Sequence, residues 1–253
     1  MVNRKTLLEI CVASVADAEI AQAAGADRIE LNTALQSGGL TPSLGLVKTV
    51  LKHVSIPVIA MVRPRPSGFC YNAREFETMC CDVQFLMQAG VAGIAFGVLT
   101  DQGDIDVPRS QRIVELVGSD GQAVFHRAFD IVRDQPTALR HLMDCGVSRV
   151  MTSGSASRAW DGRAQIRSLQ QVIEQQNTAT QILAAGGVRS DHVVSLIEET
   201  GISQVHAGLG QWLTDSSYQT SEQVNFYSTA PQDPAVYRES CAQLIREMVQ
   251  ILP

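Results

Sequence analysis

The 253-residue sequence predicts a single α/β domain, residues 1–253, folded as a (β/α)8 TIM-type barrel with a long loop before the C-terminal helix. Three observations predict it. Eight strand-like apolar runs alternate with eight stretches of helical periodicity. Gly25, Gly90, Gly146 and Gly201 each follow a helical stretch and precede the next apolar run, as a left-handed helix cap favours. Eight such units in about 250 residues is the usual size of this barrel. A doubly wound open sheet is the alternative, but the lone Gly186-Gly187 pair is no dinucleotide fingerprint.

In chain order, the apolar run Leu7–Val12 is the first strand and Val15–Ala24 the first helix. Arg28–Leu31 is the second strand, with Arg28, Glu30 and the following Asn32 on one face and Ile29 and Leu31 on the other. Thr41-Pro42 suits the start of a helix over Pro42–Val54. The unbroken run Pro57–Val62 then precedes a helix at Arg74–Ala89, and Gly93–Phe96 one at Arg109–Val117. Ala123–His126 leads to Pro136–Cys145, and Arg149–Thr152 to Gly162–Asn177. Gln181–Ala184 leads to Ser190–Thr200, where Ser190 and Asp191 fit the first turn. Gln204–His206 is the last strand and Val236–Leu252 the last helix. Between them the 25 residues 211–235 show little periodicity but carry Trp212, Tyr218, Phe226 and Tyr227. Such a loop is expected to fold over the barrel mouth or to bury its aromatics in a dimer interface.

Composition narrows the partners. A net charge of −6 with no block of five like charges argues against nucleic acid and anionic membrane surfaces. The N-terminal run contains Glu9 and is too short and polar for a signal segment, and no stretch has the roughly 20 apolar residues of a membrane span. The six cysteines form no CxxC and are read as reduced thiols of a cytoplasmic protein. Cys80, Cys81, Cys145 and Cys241 fall in helical stretches and read as buried, inert thiols.

Barrel sites are built at the carboxyl ends of the strands. There the sequence places AVFHRAFD at 123–130, whose polar and aromatic residues are unexpected at the end of a core strand. Alternation points Glu9 and Glu30 into the barrel, and Arg63, on the next strand, is their expected partner. Glu9, Glu30, Arg63 and His126 are therefore either an acid/base and binding cluster or an ion-paired plug of the interior. Arg65, Arg127, Asp130, Thr152, Ser153, Gly186, Gly187 and His206 lie at the same ends and are candidate ligand contacts. The glycine turns suit either close helix packing or a small anionic or phosphorylated ligand, which would sit beside Arg63 and Arg127. No Ser-His-Asp elbow, HExxH helix or Walker loop is present.

LEICVAS at 8–14, ADRIEL at 26–31, GGLTPSLG at 38–45 and RPRPSGFCYN at 63–72 resemble the CutC family. So do FGVLTDQGDID at 96–106, FHRAFD at 125–130, RVMTSG at 149–154 and VHAG at 205–208. The resemblance spans nearly the whole chain in order. It implies a cytoplasmic (β/α)8 barrel, commonly a homodimer, that binds copper, with no established reaction. Cys11 matches the family's first-strand cysteine and Cys70 the loop after the third strand, which makes them the implied Cu(I) ligands. Where the family pattern has a cysteine directly after the second strand, this chain has Asn32, a poor ligand for Cu(I). Met61, Cys70, His126 or His206 would have to complete the set. An enzyme acting on a small anionic substrate through the Glu/Arg/His cluster is the other reading.

Overall fold

A computed structural model describes residues 6–176, 178–218 and 236–253. Its centre is a closed barrel of eight parallel strands in sequential order: β1 Leu7–Val12, β2 Arg28–Leu31, β3 Val58–Met61, β4 Gly93–Phe96, β5 Gln122–Phe125, β6 Arg149–Thr152, β7 Gln181–Ala184 and β8 Gln204–Ala207. β8 closes on β1, with Glu9 opposite His206 and Leu7 opposite Gln204. Helices α1 Val15–Ala23, α2 Leu44–His53, α3 Ala73–Ala89, α4 Val107–Val117, α5 Gln135–Asp144, α6 Arg163–Gln176, α7 Val193–Thr200 and α8 Ala242–Ile251 follow the strands. The expected order of elements holds, and their ends moved where local capping decides them. Ser43 caps α2, Asn72 forms a reciprocal capping box with Glu75 on α3, and Asp106 and Asp134 cap α4 and α5. Each satisfies backbone N–H groups that the first helical turn leaves open.

The region before the last helix differs from the sequence reading. Gly210–Thr214 is a strand, β9, not the start of a featureless loop, and Val236–Ser240 is its antiparallel partner β10, not the first turn of the helix. The reason is local. Ser240 N–H donates to Asp17 Oδ1 at 2.6 Å, which fastens β10 to α1, and the helix then starts at Ala242. Trp212 and Tyr237 on this hairpin are exposed. Phe226 and Tyr227 lie outside the described residues.

Two kinds of core result from strand alternation. The outward faces of the strands and the inner faces of the helices merge into one large apolar cluster. The barrel interior is separate and divided. On one side it is apolar, with Ile59, Met61, Ala95 and Val124 in one group and Met151, Leu183 and Ala185 in another. On the side of β1, β2 and β8 it is polar, built on buried Glu9, Arg28, Glu30 and Gln204. The site stands on this polar side. No helix among the described residues is long and apolar enough to cross a membrane.

Candidate functional site

The polar side begins with Glu9, which is 1% exposed. Its partner is Arg28, not Arg63: Arg28 Nε donates to Glu9 Oε2. The register explains the correction, because β1 and β2 set Glu9 directly opposite Arg28. Arg28 also donates from Nη2 to Gln204 Oε1 at 2.8 Å, and Gln204 Nε2 continues to Gln181 Oε1. Glu9 Oε1 accepts from His206 Nδ1 at 2.8 Å. Burial opposes the Glu9 charge, but His206, Arg28 and Arg149 overcome it and hold the carboxyl pKa at about 2. Arg149 nearby is pushed down to about 10 by burial and by Arg28. Glu9 is thus a fixed anion that holds His206, and does not line the cavity above.

With Nδ1 committed to Glu9, His206 turns Nε2 toward the mouth, 4.0 Å from Glu30 Oε2. One ligating atom each of Cys11, Glu30 and His206 lie within 4.8 Å of one another. Asn32 braces the group: Nδ2 donates to Glu30 Oε2 at 2.8 Å and lies 3.5 Å from Cys11 Sγ. Gly39, at φ +83°, packs against Asn32 so closely that a Cβ would collide with its Oδ1. Burial raises the Cys11 and Glu30 pKa values. Burial alone would lower that of His206, but Glu30, Cys11 and Glu9 raise it well above the usual imidazole value.

Above this group opens a cavity of about 500 Å³ at the carboxyl ends of the strands. Cys11, Glu30, Arg63, His126, Arg127, Gly186, Gly187 and His206 line it, as their sequence positions implied. Asn32, Met61, Phe69, Met151 and Arg238 line it too. Arg238 comes from β10, outside the barrel, and donates to the Gly208 carbonyl. Alternation within the barrel strands could not have indicated it.

Arg63 is 7% exposed and is held by loops, not by a carboxylate. Its Nη1 donates to the carbonyls of Ser37, Gly38 and Gly39 at 3.1–3.2 Å, and its Nη2 to that of Ser67 at 2.8 Å. The guanidinium carbon stands 5.0 Å from the centre of the Phe69 ring.

The stretch AVFHRAFD is explained by the same loops. His126 caps a 3-10 turn over Arg127–Ile131, its Nδ1 accepting from Ala128 N–H at 3.1 Å. The ring packs 5.0 Å from Phe69, and Gly97 lies so close that a Cβ there would overlap it. Burial and the neighbouring Arg63 charge hold its pKa at about 3, so the ring is neutral. Asp130 turns back to tie the β6 end: it accepts from Thr152 Oγ1 at 2.5 Å, from Ser153 N–H at 3.0 Å and from Arg127 Nε at 2.7 Å.

Several expected contacts are therefore supports. Asp130, Thr152 and Ser153 are absent from the cavity lining, and fix Arg127 in place. Arg65 pairs with Glu75 and holds the Gly68 and Cys70 carbonyls, which carries Cys70 to an exposed position away from the cavity lining and from Cys11. Of the other four thiols only Cys145 is buried as expected; Cys80 and Cys241 are half-buried, Cys81 is exposed, and Cys241 stands just before its helix.

A family model described as the CutC family matches residues 6–211. A family protein CutC from Treponema denticola is 40% identical over 199 residues, 79% of either chain. One from Citrobacter koseri is 39% identical over 248 residues, covering 95% of this chain and 98% of its own. A crystal structure of a CutC protein from Streptococcus agalactiae, whose name links it to copper homeostasis, superposes with a TM-score of 0.74 at 28% identity, covering 79% of this chain and 97% of the other.

Proposed function

The chain belongs to the CutC family, and on that premise we propose that it serves copper homeostasis by binding Cu(I) at the barrel mouth through Cys11 and His206. The observation that carries this reading is the convergence of Cys11, His206 and Glu30 within 4.8 Å. Cu(I) favours thiolate, imidazole and thioether donors. Cys11 and His206 supply the first two, and Met61 and Met151 line the same cavity. The Glu9–His206 contact matches the outer-shell carboxylate that orients ligating histidines and fixes their tautomer. Glu30 is a harder oxygen donor that would balance the charge of a bound cation. The reading places the protein in the cytoplasm, where thiols stay reduced. The homodimer common in the family belongs to the same reading, and exposed Trp212 and Tyr237 offer apolar surface for it.

Competition against a Cu(I) chelator under reducing conditions tests the assignment. Cys11→Ser and His206→Gln are expected to weaken binding at least tenfold, and Cys70→Ser to leave it unchanged. Asn32→Cys, which puts a second thiol beside Cys11, is expected to strengthen it. Equal affinity of the native protein and Cys11→Ser refutes the reading.

A further inference from the structure

The mouth cavity is far larger than a metal ion needs, and its wall opposite Cys11 has a different chemistry. Among the described residues, Arg63 has no carboxylate within ion-pair distance, although it is buried; its charge is met by neutral carbonyls, the Phe69 ring and the nearby Tyr71 side chain, and its Nε has no partner. A buried guanidinium without a counter-ion is costly by several kcal/mol. Beside it, His126 carries a second donor without a partner. Because Nδ1 accepts from Ala128, the proton of the neutral ring is on Nε2, which is buried and has no partner. An unmet buried donor also costs stability. Both residues line the cavity and both pack on Phe69.

The charge around the cavity points the same way. Its lining carries three arginines, Arg63, Arg127 and Arg238, against one carboxylate, Glu30. Asp130 offsets Arg127, and Glu9, below the lining, pairs with Arg28 and His206. This surplus of positive charge sits in a chain of net charge −6, so it is a local feature of the mouth and attracts an anion. Leu35, Met61, Phe69 and Met151 add apolar surface to the lining. A volume of about 500 Å³ is in the range of small-molecule sites.

We propose that the mouth binds a small organic acid with an apolar body, its carboxylate or phosphate held by Arg63 and the His126 Nε2–H. Arg238 adds a further cation to the lining, and the apolar body lies against Phe69 and Met151. The site rests on residues other than Cys11 and does not depend on copper.

Calorimetric titration of the metal-free full-length protein with phenylacetate, phenyl phosphate and inorganic phosphate tests it. At least one aromatic acid is expected to bind at one site per chain, ten times or more tighter than inorganic phosphate. Which of the two binds better assigns the head group. His126→Asn keeps an acceptor for Ala128 but removes the Nε2 donor, and Arg63→Met removes the charge; each is expected to lower affinity at least tenfold, and Cys11→Ser to leave it unchanged. Arg63 also braces two loops, so His126→Asn serves as the decisive variant if Arg63→Met does not fold. Absence of saturable binding by both aromatic acids overturns the proposal, as does native affinity in His126→Asn. Loss of copper binding in Cys11→Ser with the acid still bound separates the two sites.

Discussion

His126 makes the stability of this barrel fall in acid, in a window that can be isolated. In the unfolded chain its imidazole titrates near 6.5, and in the folded barrel near 3. The folded state therefore resists a proton that the unfolded state accepts. The sign follows: the contribution is fully present above pH 6.5 and is lost as pH falls toward 3. At about 1.4 kcal/mol per pH unit, less near 6.5 where the unfolded ring is half protonated, the span from 6.5 to 4.5 is worth about 2 kcal/mol, and the whole shift about 5. Glu9 adds nothing in that span, since its unfolded value is 4.5 and its loss lies between there and about 2. Glu30, whose carboxyl is raised, acts in the opposite direction above 4.5, but it does so equally in native and variant proteins. Urea unfolding of the native protein and His126→Asn at pH 6.5, 5.5 and 4.5 measures the effect as a difference. The native advantage is expected to shrink by about 2 kcal/mol across the series. Parallel curves would refute the assignment of His126 as a buried neutral ring.

Arg28→Met should destabilise the barrel by about 3–5 kcal/mol, because it leaves the Glu9 charge buried with one partner fewer. Adding Glu9→Gln should recover much of that loss in urea unfolding, and no recovery would show that Arg28 acts by packing alone. Asp130→Asn removes a carboxylate that accepts from Arg127, Thr152 and Ser153, and is expected to cost about 2–3 kcal/mol. A thermal melt unchanged from the native protein would place those contacts outside the folding energetics.

The barrel was legible because each unit repeats the same two periods, and the strand starts at Leu7, Arg28, Gly93, Arg149, Gln181 and Gln204 agree with the sequence reading. Helix ends were less legible, since side chains such as Ser43 and Asp106 select them by capping geometry that periodicity does not contain. Residues 236–240 misled for a related reason. The segment VYRES runs directly into a strongly amphipathic helix, and only its pairing with residues 210–214 and the anchor on Asp17 make it a strand. Long-range pairing of this kind has no local signature.

At the site, alternation identified which side chains enter the barrel but not which of them meet. Glu9 and Glu30 point inward as expected, but alternation alone favours Arg63 after β3 as a partner, whereas the residue opposite Glu9 on β2 is Arg28. Arg63 was thereby released for the mouth, where it orders the loops at 37–39 and 67. Asn32 shows how an amide can serve inside a buried acidic group. A thiolate at that position would stand beside the Cys11 sulfur and the Glu30 carboxylate, and would bring a further negative charge into a buried group. The amide instead donates to Glu30 and touches Cys11, so the acidic group keeps a neutral brace. A soft ion here would then rely on Cys11 and His206 with a methionine. That makes Asn32→Cys a direct test of the proposed site: a gain in Cu(I) affinity is expected, because a second thiol would stand beside Cys11, and no gain counts against Cu(I) binding there.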